Sequence, residues 1–480
     1  MIAVIMPVYN TEEYLRAAID SVICQTLPFE ENIRLYLIDD ASTDGSLKIC
    51  QEYQKKYPDN IVVKHFEENQ GVSAIRNYGI RQCRKCGDVI VSFLDSDDKF
   101  GEDVFERVVE FFDEHPDINM ATVEIMLFGA MTKDHKINWR FRDKEVVNIQ
   151  KDYTNPHYYI GGAFVRRTAL QKLEFDETMQ FWEDALAINQ VILDEGQYGL
   201  VSGVYYYYRK RSDESSLVDV AWKSKERYTS FLESGYGKIM ACSKRSKHRI
   251  IPYVQFLVAY HMRLFMVRKR QQDISDTLTE EEIVELRRKL QKILKKIKVN
   301  IILQVPTSLP IIEEMLSIRA GRQIRAKRVY RDKECLFVYK GVELARISER
   351  RVQLYKPIDK PDSEFDGMWK ATFYTPVYAM KKQDKLFVKY HGERIEAREY
   401  RGRKQLFILG KRLRCFYHAR FAIDLPADWD TLTFGIYLAE GDTEVLLNRI
   451  ERQEWEMRQK GLSSGEEMEM ADEEAADKML

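Results

Sequence analysis

The chain has 480 residues, 45% of them hydrophobic and 31% charged, with 75 Lys and Arg against 76 Asp and Glu. That length calls for two or three cores rather than one, and the balanced charge argues against a nucleic-acid binder. No run reaches the ~18 uninterrupted apolar residues of a membrane span, and Met1-Ile-Ala-Val-Ile-Met6-Pro7 lacks the features of a signal peptide; the chain is therefore expected in the cytoplasm, at most touching the inner membrane face. Seven scattered cysteines suit reduced thiols. Cys83-Arg-Lys-Cys86 has no second pair or His cluster to complete a zinc site.

From residue 1 to about 130, short Ile/Val-rich runs alternate with amphipathic stretches. Strands are expected at Ile2–Val8, Ile33–Ile38, Ile61–His65 and Val89–Leu94. Helices are expected at Glu12–Cys24, Gly45–Tyr57 and Val72–Cys83. This alternation predicts a parallel sheet covered on both faces. Further on, Tyr158–Val165 and Tyr198–Tyr208 read as strands and Glu183–Asp194 as a helix. Residues 218–324 read as mostly helical, with Thr279 or Asp276 available to cap a helix over Glu280–Lys298. From 325 to 450, alternating segments such as Glu334–Tyr339, Leu386–Tyr390, Arg394–Tyr400 and Thr431–Leu438 point to an antiparallel sandwich or barrel. Residues 451–480 read as a short helix and an acidic, disordered end. Lys244 to Lys356 is rich in Lys and Arg, which fits either an anionic lipid or polymer surface or a solvated helix face.

Parallel sheets bind ligands at the carboxyl ends of their strands. Polar residues following the four N-terminal strands are Pro7-Val-Tyr9-Asn10, Asp39-Asp40-Ala-Ser42-Thr-Asp44-Gly45, Asn69-Gln-Gly71-Val-Ser73 with Arg76 and Asn77, and Asp95-Ser96-Asp97-Asp98. All four should meet on one edge. Together they suit a sugar nucleotide: Asp40 to accept the base N–H, Arg76 to face a diphosphate, and carboxylates two apart to share a hard divalent ion and the ribose. Capping is the competing reading for Asp39-Asp40-Ala-Ser42, for Asp44 and for Asp98. A nucleotidyltransferase would need a Gly-rich basic loop after the first strand, which Pro7-Val-Tyr-Asn-Thr-Glu12 is not.

Residues 1 to about 210 resemble the family 2 glycosyltransferases. The matching segments are Met6–Asn10, Ile38–Gly45, Asn69–Asn77, Phe93–Asp98 and Trp182-Glu183-Asp184. The resemblance implies an α/β domain of the GT-A fold over 1–217, followed here by the helical region and the all-β region. It implies that Pro7, Tyr9, Asp40, Asn69 and Arg76 hold the nucleotide, Asp95 contacts the donor, and Asp97 holds Mn2+ or Mg2+. Asp184 falls where the family carries its base, with Glu183 orienting the loop or acceptor. The activity implied is inverting transfer of a hexose, by analogy from a UDP-sugar, to a hydroxyl of a glycan or polyol-phosphate acceptor, as in bacterial enzymes that decorate teichoic acid. Without the resemblance, Glu183 and Asp184 are also explained as acids favoured at a helix N-terminus. The alternative is a catalytically silent carbohydrate-binding or scaffold protein; self-association and peripheral membrane contact are compatible with either. Gly161-Gly162 reads as a place for a sugar to approach the backbone or a tight turn. Tyr208-Arg209-Lys210-Arg211 reads as a basic loop closing over the diphosphate, or a surface turn. Trp369, Tyr374 and Tyr378 are candidates for an exposed aromatic platform, or for burial within strands.

Overall fold

A computed structural model describes residues 1–86, 90–211, 220–331, 334–347, 352–361, 363–374, 383–401, 406–414 and 418–460. The chain forms two compact units, Met1–Val258 and Ala259–Leu480; the division falls inside the helical region.

The first unit is built on a ten-stranded sheet. Its strands are β1 (Ile2–Val8), β2 (Ile33–Asp40), β3 (Ile61–Phe66), β4 (Ile90–Phe93), β5 (Lys99–Phe100), β6 (Met120–Gly129), β7 (Lys133–Asp134), β8 (Val146–Asn148), β9 (Ala163–Arg166) and β10 (Gln197–Lys210). The order along the sheet is β3-β2-β1-β4-β9-β6-β10-β5, with β7 on β6 and β8 on β10. Strands β3, β2, β1 and β4 run parallel, as the Ile/Val blocks predict, and β9 enters antiparallel between β4 and β6. Only the end of the expected Tyr158–Val165 strand is extended, as β9. Strand β1 is apolar throughout because both faces are covered. Ile2, Val4, Met6 and Val8 enter one core. Ile5 points to the other face, where the Val72–Cys86 helix lies so close that a Cβ on Gly79 would meet Ile5 at 2.6 Å.

The second unit opens with helices. Thr279 is the cap of the Glu280–Leu294 helix, in a reciprocal capping box with Glu282. Two four-stranded antiparallel sheets follow, one of 352–357, 369–374, 418–423 and 398–401, the other of 393–396, 385–390, 431–438 and 443–451. Leu354, Ala371, Phe373 and Phe421 of one sheet share a core with Leu386, Phe434 and Ile436 of the other, as a sandwich requires. A three-stranded sheet (327–331, 334–339, 342–346) and a hairpin (406–408, 411–414) complete the unit. Trp369 belongs to this core rather than to an exposed platform: it is buried in edge-to-face contact with Trp429 and Trp455. Tyr378, the Tyr374 side chain, Ser215-Ser216 and the acidic end lie outside the described residues. Among the described residues, no helix is long and apolar enough to cross a membrane.

Candidate active site

The four loops do meet at the carboxyl edge of β1–β4. Tyr9 is half exposed beyond β1, and Asn10 takes a left-handed backbone (φ 50°) so that its Oδ1 accepts the Thr43 N–H at 2.8 Å. Asp40 is buried, and its carboxylate accepts the Gln70 and Gly71 N–H groups at 2.6 and 2.9 Å. The Asn69 amide donates back to the Asp40 carbonyl at 3.3 Å. A carboxylate has lone pairs beyond those two, so Asp40 both builds the rim and retains acceptor capacity. Asp44 accepts the Ser46 and Glu12 N–H groups and so starts two helices, the capping role the sequence allowed. Pro7 is half-buried in the last turn of β1 before this rim.

The centre of the site is Arg76. Its guanidinium, 4% exposed, bonds Asp95 at 2.8 Å, Asp184 at 2.6 Å and Glu183 at 3.2 Å. It lies over the Phe175 ring at 5.3 Å. The neighbouring Asn77 clamps Phe175 through both its backbone N–H and its carbonyl. Thus one helical turn, Arg76-Asn77, draws residues 175–184 against the loop that carries Asp95. The sequence placed Arg76 against a diphosphate; here its bonds are spent on the acids opposite.

Glu183 and Asp184 open the Glu183–Glu195 helix and keep 15% and 25% of their side-chain surfaces exposed. Burial pushes the Asp184 carboxyl above the usual range, the Arg76 charge draws it back down, and Asp95 raises it again. Burial, and then the adjacent Asp184 charge, push Glu183 up as well. The residue before them, Trp182, sits at φ 64°, a costly backbone for a bulky side chain and one that persists only where its surroundings enforce it. Its ring is held edge-on by Tyr236 at 5.2 Å and Phe231 at 5.9 Å.

Asp97 is held by Arg211 at 2.5 Å and Asp98 by β10. Burial, and then Asp95, raise the Asp97 carboxyl, with Arg211 opposing. Asp98 is buried and accepts the Tyr206 hydroxyl and the Arg209 N–H, both at 2.7 Å. It therefore anchors the Asp95–Asp98 turn rather than starting a helix. Arg209 donates to the Asp97 carbonyl and stacks between Tyr14 and Phe128, each 4.4 Å away. Five carboxylates (Asp95, Asp97, Asp98, Glu183, Asp184) thus stand against three guanidinium groups (Arg76, Arg209, Arg211). Among the described residues no cluster of three or more His, Cys, Asp or Glu is arranged to hold a metal. A Mg2+ or Mn2+ site of the kind that shares substrate phosphates needs only one or two carboxylates from the protein. The excess of hard oxygen donors at Asp95 and Asp97 fits such an ion.

Residues 3–174 match the model of glycosyl transferase family 2. The chain is 33% identical over 457 residues to the minor teichoic acid biosynthesis protein GgaA of Bacillus subtilis (strain 168), a match covering 94% of this chain and 97% of GgaA. The chain belongs to glycosyl transferase family 2. It is also 28% identical over 217 residues to the poly(ribitol-phosphate) beta-N-acetylglucosaminyltransferase TarS of Staphylococcus aureus (strain Mu50), over 44% of this chain and 36% of TarS. The crystal structure of S. aureus TarS shares the fold, with a TM-score of 0.56 at 16% identity over 93% of this chain and 77% of that one. TarS 1-349 in complex with UDP-GlcNAc gives 0.50 at 18% identity, over 72% and 99% of the two chains. The α/β sheet, the helical middle and the C-terminal β sheets are the architecture of this glycosyltransferase group.

Several parts of this candidate site carried no sequence signal. Tyr206 is the clearest: buried in β10, it holds Asp98 and accepts the Asp95 N–H at 3.3 Å. Gly161 and Gly162 pack against this residue, since a Cβ at either would meet Tyr206 within 3 Å, and Gly162 takes a left-handed backbone (φ 72°), as the tight-turn reading requires. His65 is another, bonding the buried Asp39 at 2.8 Å at the end of β2. Of the basic loop, Arg209 and Arg211 are ordered on the Asp97 turn.

Proposed function

We propose that this family 2 glycosyltransferase is an inverting enzyme that transfers a sugar from a UDP-sugar to a hydroxyl of a polyol-phosphate or related cell-surface glycan acceptor. The observation that carries the reading is the assembly of Asp184, Glu183 and Asp95 on one buried guanidinium. It brings a carboxylate of raised pKa beside the loop that meets the donor. The UDP-sugar and polyol-phosphate parts rest on what TarS and GgaA are named for.

In this reading Pro7, Tyr9, Asp40 and Asn69 line the nucleoside, and Asp95 orients the donor sugar. Asp184 accepts the proton of the acceptor hydroxyl as that oxygen bonds the anomeric carbon and the bond to the diphosphate breaks. One displacement inverts the configuration and releases the nucleoside diphosphate. Asp184 is suited to this because burial lifts it towards neutral pH, where a base is most effective. Glu183 orients the acceptor, and Arg76 keeps the acids in register. Asp97, with Asp95 beside it, would hold Mn2+ or Mg2+, which when bound offsets charge on the leaving diphosphate.

The test is release of nucleoside diphosphate from UDP-sugars with a polyol-phosphate acceptor, with and without Mn2+. The expected result is turnover that a chelator removes and that Asp184→Asn abolishes while nucleotide binding survives. Full turnover by Asp184→Asn would take the base role from this residue, and turnover unchanged by chelation would take the metal from Asp97.

A further inference from the structure

The second unit holds a pocket of about 250 Å3 whose walls are Arg287, Arg288 and Gln291, the turn Gly321-Arg322, and Lys411. Three separate elements converge there: the Glu280–Leu294 helix, the end of the Leu309–Ala320 helix and the 406–414 hairpin. Their mutual placement is fixed. Arg287 reaches the Ile408 and Leu409 carbonyls of the hairpin at 3.5 Å, and Gln291 donates to the Ile318 carbonyl at 2.9 Å. Gly321 caps the second helix at φ 69°. The Gln291 bond and the Gly321 cap both satisfy the Ile318 carbonyl, so that helix end presents less negative charge to the pocket.

The pocket's charges do not cancel. Arg287 is matched by the fully buried Glu314 at 2.5 Å, and Arg288 by Glu285 at 2.6 Å. Arg322 and Lys411 have no anionic partner among the described residues. Two unmatched cations facing one concavity, backed by two held guanidiniums and an amide, form a receptor for a small anion with several oxygens.

We infer that this pocket is a phosphodiester-binding site, separate from the catalytic carboxylates. The chemistry suits one phosphate of a repeating polyol-phosphate chain, or equally an anionic lipid headgroup. The catalytic loops are rich in acid and offer a polyanion little besides the donor site. A second site of opposite sign would supply the holding energy that the first lacks, and linked sites gain through effective concentration. The inference does not depend on which residue is the base.

The experiment uses the full chain and the double variant Arg322→Glu/Lys411→Glu, which leaves the Arg287–Glu314 and Arg288–Glu285 ion pairs in place. Thermal unfolding checks that the variant is folded; if it is not, Arg322→Gln/Lys411→Gln takes its place. Binding of a synthetic polyol-phosphate oligomer is measured by calorimetry, and binding to phosphatidylglycerol vesicles by sedimentation, with phosphatidylcholine vesicles as control. The variant should bind one of these probes at least tenfold more weakly, with a shallower salt dependence, while UDP affinity and turnover on a single-unit acceptor stay unchanged. Loss of oligomer binding alone assigns the site to the acceptor chain, and loss of vesicle binding alone assigns it to lipid. Equal binding of both probes by variant and parent overturns the inference, whatever the outcome of the Asp184 test.

Discussion

Buried charge is handled in opposite ways in the two units. In the second, the two buried glutamates of the Leu309–Ala320 helix each have their own guanidinium: Glu313 pairs with Arg325 at 3.3 Å and Glu314 with Arg287 at 2.5 Å. In the first, a single buried guanidinium serves Asp95, Glu183 and Asp184 together. One-to-one pairing fixes a structure and leaves nothing over. Three acids on one cation leave uncompensated negative charge, and burial first, then the neighbouring carboxylates, raise the Glu183 and Asp184 carboxyls. In the proposed mechanism that imbalance is what the reaction uses, so local charge balance sets this cluster apart from the paired glutamates better than burial does.

Four substitutions would break or sharpen this contrast. Asp184→Asn should have the largest effect, lowering kcat by roughly 10²–10⁴-fold, the usual contribution of a general base, with the melting temperature nearly unchanged. Arg76→Gln should cost about 2–4 kcal/mol of stability, below the full penalty for breaking a buried pair because Asp95 keeps 37% of its side chain in solvent. Its pH profile carries the sign. As the proposed base, Asp184 would work only when ionised, so kcat/KM should fall as pH drops through its raised pKa. Arg76 is the charge that holds this pKa down; without it the acid limb should move to higher pH. A limb that stays put would mean that another group is the base.

Glu314→Gln, which orphans a cation instead of acids, should cost about 1–3 kcal/mol and leave turnover on a short acceptor intact. A drop in turnover would show that balanced pairs also feed the chemistry. The smallest effect is expected from Tyr206→Phe, about 1 kcal/mol in unfolding for the lost bond to Asp98. A rise in donor KM should accompany it as the Asp95 turn loosens.

The sheet was legible because parallel strands buried on both faces must be apolar at every position, and Ile2–Val8 and Ile33–Asp40 announce themselves that way. The loop acids were legible because each follows such a run. What could not be read are pairings between distant segments. Arg76 lies 107 and 108 positions from its acids at 183 and 184, and Arg211 lies 114 from Asp97. A glycine pair such as Gly161-Gly162 says that something comes close, but only the fold says that it is Tyr206. Alternating β segments likewise leave open which face Trp369 takes, and the sandwich core decided it.

The left-handed backbone at Trp182 has a consequence for how short the enzyme can be made. A conformation that costs on the order of 1–3 kcal/mol is kept only while Phe231 and Tyr236 grip the indole. A truncated protein ending at residue 217 would retain every strand and every loop acid, yet lose that grip. Trp182 would relax, the first turn of its helix would swing, and the acids at 183 and 184 would leave Arg76. A fragment that keeps this grip has to extend past Tyr236, well beyond the last strand of its sheet, and the first compact unit ends at Val258.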